Sequence, residues 1–141
     1  MAISFFSEDT SFRYKHRNKT KKWLRQIAGM SNKKIADLNY IFCSDDYLLQ
    51  INLQYLNHNT YTDIITFDGS DASEEISGDI FISIDRVQEN AMTLGTIPDT
   101  ELLRVISHGL LHLIGYNDKS NKDKKVMRQK ETEAIELFES I

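Results

Sequence analysis

Two histidines four residues apart, followed by a glycine and an aspartate, form the segment of this 141-residue chain best suited to chemistry. The segment covers residues 108–118 and has the sequence HGLLHLIGYND. Positions four apart share one face of an α-helix, so His108 and His112 can bind one ion together. Gly115 can adopt the positive φ that ends a helix, and the returning chain then allows Asp118 to supply a third bond.

This spacing, H-x-x-x-H-x-x-G-x-x-D, matches the metzincin layout with aspartate in the last ligand position. Three protein ligands with one open position are typical of a catalytic zinc, whereas a structural zinc is usually enclosed by four ligands. We therefore predict one Zn²⁺ ion, with other divalent metals as alternatives, held by His108, His112 and Asp118. The competing interpretation is a pair of partly buried, hydrogen-bonded histidines, which a bare H-x-x-x-H on a leucine-rich helix would favour.

The residue after the first histidine limits the chemistry of this site. In zinc peptidases with the motif H-E-x-x-H a glutamate at that position acts as general base, and this chain has Gly109 there. Glycine accepts no proton, so an ordinary zinc-peptidase mechanism is not expected, and the general base is not assigned. Hydrolysis of another substrate stays open, because a bound metal lowers the pKa of water to about 7.

The same segment resembles the signature H-G-x-L-H-L-x-G-Y-D-H of the YbeY family of metal-dependent endoribonucleases, the rRNA maturation factors. Residues 52–55 (NLQY), 62–67 (TDIITF) and 78–80 (GDI) resemble the family segments L-N-x-x-Y-R, T-D-V-L-S-F and G-D-I. The resemblance implies a single YbeY-like metal-dependent hydrolase domain over residues 1–141. It also implies a single-strand-specific, zinc-dependent endoribonuclease of ribosome biogenesis, with an rRNA precursor as substrate and the ribosomal subunit as a further partner.

Two positions depart from the family pattern. The family's third ligand is a histidine at the position of Asp118; aspartate is an acceptable zinc ligand, but its charge makes bound water less acidic and favours harder ions. The family's functional arginine aligns with Leu56, which can neither bind phosphate nor stabilise a developing negative charge. Either another cation replaces the arginine, with His58 the nearest candidate in sequence, or the activity is weak.

Two other functions stay open at this point. A metal-dependent hydrolase of a peptide or a small phosphoester would use the same ligands. A noncatalytic ribosome- or RNA-binding module, with the metal as a structural staple, would account for Gly109 and Leu56 together.

Basic residues are concentrated in two stretches, although the net charge of −4 argues against general nucleic-acid binding. The N-terminal basic cluster consists of Arg13, Lys15, Arg17, Lys19, Lys21, Lys22 and Arg25, and the C-terminal basic cluster of Lys119, Lys122, Lys124, Lys125, Arg128 and Lys130. The second cluster begins directly after Asp118. If both share a face, they form the positive surface expected for RNA; otherwise they are solvated helix faces.

Composition favours one soluble, cytoplasmic domain. The length of 141 residues and the hydrophobic content of 40% suit a single buried core. Cys43 is the sole cysteine and is expected in that core, which fits a reducing cytosol. Residues 1–6 are too short for a signal peptide and no run is long enough for a membrane span, so we expect no membrane contact.

Hydrophobic periodicity predicts an α/β (α+β) fold with a four-stranded mixed sheet and surrounding helices, one of them a zincin-like metal helix. Strands are expected at 2–6, 38–43, 62–67 and 78–84, and helices at 15–29, 45–56, 85–95, from about 99 through the two histidines, and at 121–138. Asp45 and Asp85 are the expected helix caps, Gly29 is expected to end the first helix, and residues 68–77 are expected to form a mobile acidic loop. The metal-bearing helix is expected to be the most buried.

Overall fold

The computed structural model describes residues 2–141, which form one four-stranded sheet and five helices. The elements are β1 (Ala2–Ser7), α1 (Arg17–Met30), β2 (Lys34–Cys43), α2 (Asp45–Leu56), β3 (Ile64–Asp68), β4 (Glu75–Ser83), α3 (Ile84–Leu94), α4 (Pro98–Ile114) and α5 (Asn121–Ser140). The strand order is β1-β2-β4-β3. The first three strands in this order are parallel and β3 is antiparallel to β4, so the predicted mixed sheet and fold class are confirmed.

Helix α4 is packed directly onto the sheet and has the largest number of buried residues among the helices of residues 2–141. The hydroxyl of Tyr40 on β2 donates a 2.9 Å hydrogen bond to the carbonyl of Ile106. A Cβ atom added at Gly109 would lie 2.9 Å from Ile80 Cδ1 and 3.1 Å from Ile64 Cδ1. Gly109 therefore faces the sheet at a close approach, and a zinc-peptidase glutamate has no room at this position.

Helices α1 and α5 pack antiparallel to each other. The Lys19 ammonium lies 4.2 Å from the centre of the Phe138 ring, and the Trp23 indole N–H donates a 2.7 Å hydrogen bond to the carbonyl of Ala134. Further along, Ile27 and Lys130 line one small cavity. The α1 residues of the N-terminal basic cluster therefore accompany the C-terminal half of α5, whereas the C-terminal basic cluster runs from Lys119 to the middle of α5.

The predicted caps of α2 and α3 are wrong by one and two residues. The hydroxyls of Ser44 and Ser83 each accept a 3.1 Å hydrogen bond from the backbone N–H three residues later. Asp45 instead accepts hydrogen bonds from the Ser83 hydroxyl at 2.8 Å and from the Arg86 guanidinium at 2.7 Å. The Asp85 carboxylate accepts a 2.9 Å hydrogen bond from the backbone N–H of Asp45, so the two acids join the helix starts to each other.

The remaining differences are at element ends. Strands β2 and β4 begin earlier than predicted because Lys34 pairs with Glu75, so residues 75–77 belong to β4 and not to a mobile loop. Helix α1 continues past Gly29 to Met30. Cys43 is buried, as predicted, and burial raises the pKa of its thiol to about 12. Within residues 2–141, no helix combines the length and the apolar character needed to cross a membrane.

Candidate metal centre

Helix α4 ends in the turn that the sequence predicts. Gly115 has φ 125°, a value that L side chains rarely adopt. The backbone N–H of Tyr116 donates a 3.0 Å hydrogen bond back to the carbonyl of Leu111, which closes the last turn. The chain leaving this turn returns Asp118 to the helix face that carries both histidines.

The three predicted ligand residues converge. The Nε2 atom of His112 lies 3.3 Å from Oδ2 of Asp118, and Nε2 of His108 lies 3.5 Å from the same oxygen. One ligand atom from each of His108, His112 and Asp118 lies within 4.8 Å of the others. Tetrahedral zinc bonds of about 2.0–2.1 Å separate ligand atoms by about 3.3–3.4 Å. The donor types and the observed separations therefore fit a metal ion, and the cluster is a possible metal site.

A buried carboxylate from α5 holds the ring of His108. The Nδ1 atom of His108 lies 2.5 Å from Oε2 of Glu131, whose side chain is 3% exposed. Burial would raise the pKa of Glu131, but the His108 hydrogen bond and the positive charge of Arg104 outweigh it and lower that pKa. An ionised carboxylate only accepts hydrogen bonds, so Nδ1 is the donor and the Nε2 atom is directed toward Asp118.

Arg104 lies one helical turn before His108 and supports Glu131 in turn. Its guanidinium forms ion pairs with Glu101 and with Glu131, the latter at 3.2 Å, and lies 3.9 Å from the carboxylate of Asp63. Burial alone would lower the pKa of Arg104, but Glu101 and Glu131 raise it above its ordinary value. The charge of Arg104 is therefore already balanced by carboxylates. Burial also raises the pKa of Asp63, against the influence of Arg104.

Arg104 and Glu131 are absent from the sequence prediction. Arg104 carried a local signal, since residues 104, 108 and 112 recur every four positions on one helix face. Glu131 carried none, because 23 residues and a loop separate it from His108.

Two depressions meet at the three converging side chains. The β3 cleft, of about 640 Å³, lies toward β3 and the end of α2, and Leu56 and His58 are on its walls. Within residues 2–141, Arg104 is the only lysine or arginine that lines it. The α5 pocket, of about 280 Å³, lies on the other side, between α4 and α5. It is lined by Arg104, His108, Asp118, Lys124, Met127, Arg128 and Glu131.

A family comparison agrees with this geometry. Residues 3–139 match the family model described as Endoribonuclease YbeY. The chain belongs to this family. Its members are named as endoribonucleases, which are hydrolases that act on RNA, so the predicted family and enzyme class are confirmed.

Individual relatives support the assignment over the full length. The chain is 52% identical to Endoribonuclease YbeY of Cytophaga hutchinsonii over 96% of this chain and 94% of the relative. It is 47% identical to Endoribonuclease YbeY of Azobacteroides pseudotrichonymphae over 99% of this chain and all of the relative. The solution structure of TM1509 from Thermotoga maritima is similar with a TM-score of 0.71 and 28% identity, covering 97% of this chain and 89% of that one.

Proposed function

We propose that residues 1–141 form a single zinc-dependent endoribonuclease domain that cleaves single-stranded rRNA precursor in the cytoplasm during ribosome biogenesis, in association with a ribosomal subunit. The observation that carries the proposal is the convergence of His108, His112 and Asp118 at the junction of two open depressions. The buried carboxylate of Glu131 holds the His108 ring by a hydrogen bond. Family membership supplies the substrate class. Single-strand specificity and rRNA maturation come from the resemblance seen in the sequence.

In this proposal His108, His112 and Asp118 hold the ion through Nε2, Nε2 and Oδ2. A bound zinc would polarise a phosphodiester oxygen, activate water, or do both. Glu131 keeps the ring of His108 in one tautomer and one orientation, and Arg104 keeps Glu131 ionised. Gly109 has no side chain that could act as a base. Its position against Ile80 and Ile64 also leaves no space for an acidic side chain there.

The proposal is tested by incubating zinc-loaded protein with a single-stranded RNA and with a duplex of the same sequence. The His112→Ala variant, purified in parallel, exposes any contaminating ribonuclease. We expect the wild type to cut the single strand, to leave the duplex largely intact, and to lose this activity in the variant. Equal cleavage by both proteins, or cleavage by neither, would contradict the proposed activity.

A noncatalytic RNA-binding module is the second candidate, because the β3 cleft holds the exposed side chain of Leu56 and no unpaired lysine or arginine among the described residues. This function predicts that zinc-loaded protein binds single-stranded RNA without turnover. It also predicts a large fall in Tm on chelation, since the metal would then serve as a staple. Turnover that depends on His112 would exclude it.

A further inference from the structure

The exposed lysine and arginine side chains beside the three converging residues are on the α5 side. Lys124 and Arg128 are both exposed and line the α5 pocket together with His108 and Asp118. The nearest carboxylate oxygen to Arg128 is Oε1 of Glu131, at 4.0 Å, and this carboxylate is already engaged by Arg104 and His108. No carboxylate within residues 2–141 forms an ion pair with Lys124.

The helix fixes these two cations on one face. Residues four apart are neighbours on an α-helix surface, so Lys124 and Arg128 project side by side. The same face carries Met127, which is 2% exposed, and the buried Glu131, and both anchor α5 against α4. The Ser120 hydroxyl caps the start of α5 by accepting a 3.0 Å hydrogen bond from the backbone N–H of Asp123. The backbone under the two cations is therefore held in place next to His108.

The β3 cleft lacks such charge. Its lysine and arginine content within the described residues is Arg104 alone, which is enclosed by Glu101, Glu131 and Asp63. The cleft also contains the carboxylates of Asp63, Asp68 and Asp118. Arg104 and Asp118 line both depressions, so the two sides differ in their other charged residues. On the β3 side a polyanion meets Asp63 and Asp68, whereas on the α5 side it meets exposed Lys124 and Arg128 and the buried Glu131, whose charge Arg104 already balances.

We propose that Lys124 and Arg128 form a phosphate-binding subsite for a single-stranded polynucleotide, which takes the phosphodiester next to the one at the metal centre. A guanidinium can bind two phosphate oxygens in a fixed geometry, and a lysine adds a mobile point charge. This subsite supplies positive charge beside the three ligand residues. Leu56, at the position of the family's arginine, supplies none. The inference rests on the proposed function for the identity of the polynucleotide as RNA.

The test is the binding of a fluorescein-labelled single-stranded RNA to the full chain, measured by anisotropy over a range of salt concentrations. Binding is measured in EDTA, where no turnover occurs, and cleavage is measured separately with zinc. The test variant is the double substitution Lys124→Gln and Arg128→Gln. The matched control is Lys22→Gln with Arg25→Gln, which removes one exposed lysine and one exposed arginine from α1.

We expect the test variant to bind RNA about 20-fold more weakly than the wild type, because two charged contacts to phosphate are lost. The slope of log affinity against log salt should become shallower by about 1.4, which corresponds to two phosphate contacts on a single strand. The control should stay within about twofold, since neither Lys22 nor Arg25 lines the α5 pocket or the β3 cleft. In the cleavage assay the test variant should raise KM and leave kcat nearly unchanged.

The single change Arg128→Lys should keep most of the salt slope but weaken binding, because it retains charge and loses the bidentate contact.

Equal affinity and equal salt slope in the test variant and the control would overturn the subsite. If cleavage then remains intact, the nuclease function stands without it. If the wild type binds RNA through these residues but never cleaves, the subsite stands and the nuclease function fails. A wild type that does not bind single-stranded RNA at all overturns the subsite. Circular dichroism of each variant verifies that the exposed substitutions leave the fold unchanged.

Discussion

His108 and Asp118 belong to the same three-residue cluster, but the surrounding protein holds the His108 side chain much more firmly than that of Asp118. The His108 side chain is 16% exposed and is held by a buried carboxylate, which is itself held by Arg104. The Asp118 side chain is 43% exposed, and within residues 2–141 only the two histidines contact its carboxylate by ion pair or hydrogen bond. The comparison indicates that contacts between α4 and α5 fix His108, whereas Asp118 reaches the cluster on a loop.

Removing either histidine should have the largest effect on zinc binding, and the two variants should differ in their free energy of unfolding. We expect His108→Ala and His112→Ala each to weaken zinc binding more than about 100-fold, because a ligand is lost. In EDTA, His108→Ala should also cost about 2 kcal/mol of unfolding free energy, since it strips a donor from buried Glu131. Isothermal titration with zinc and urea denaturation measure the two quantities. Equal stability of the two variants would show that the contact with Glu131 does not stabilise the fold through His108.

The Glu131→Gln variant should have the next largest effect on zinc affinity. We expect zinc affinity to fall by about 10- to 100-fold, because the amide no longer fixes the His108 ring as a charged acceptor. The nearby Glu133→Gln is the control, since Glu133 is exposed and, within residues 2–141, forms hydrogen bonds or ion pairs only with Gln129 and Lys130 on the same helix. Nitrogen chemical shifts of the imidazole in the metal-free protein should show a changed tautomer balance for Glu131→Gln alone. An unchanged zinc affinity would mean that the carboxylate does not support the ligand.

Two glycine substitutions test how closely α4 packs against the sheet. Gly109→Ala should destabilise the protein by about 1 kcal/mol, because crowding against Ile80 and Ile64 outweighs the higher helix propensity of alanine. Gly29→Ala in α1 meets no atom within 4 Å and should stabilise by about 0.5 kcal/mol. Urea denaturation should therefore give opposite signs. A stabilising Gly109→Ala would show that the contact with β4 is loose.

Asp118→His should produce the smallest change. Because Asp118 is on a solvent-accessible loop, we expect the replacement to alter stability by no more than about 0.5 kcal/mol. Zinc affinity should be retained or become up to about tenfold tighter, since imidazole is a good neutral zinc ligand. Competition with a chromogenic chelator measures this. Loss of zinc binding in the variant would show that Asp118 is not a ligand.

The sequence was sufficient where the information is local. Helical spacing and Gly115 predicted that His108, His112 and Asp118 converge, and alternating periodicity predicted the order of strands and helices. It failed where a partner lies far along the chain. The early starts of β2 and β4 depend on Lys34 pairing with Glu75, and the support of His108 depends on Glu131.

The caps failed for a different reason. Serine and aspartate are both good N-cap residues, and Ser44-Asp45 and Ser83-Ile84-Asp85 offer both at each helix start. The choice is made by tertiary contacts, since Asp45 is drawn to Arg86 and to the Ser83 hydroxyl. The basic clusters are a similar case, because their charges are visible in the sequence but the part of α5 that lies beside the basic residues of α1 depends on how the two helices pack.

Trp23 gives this protein an intrinsic optical reporter. It is the only tryptophan in the chain, it is fully buried, and its indole N–H is bonded to the backbone of α5. Indole emission shifts to longer wavelength when the ring meets water, so separation of α5 from α1 changes the fluorescence without any added dye. Since α5 also carries Glu131, Lys124 and Arg128, the same emission follows the attachment of the helix that completes the site.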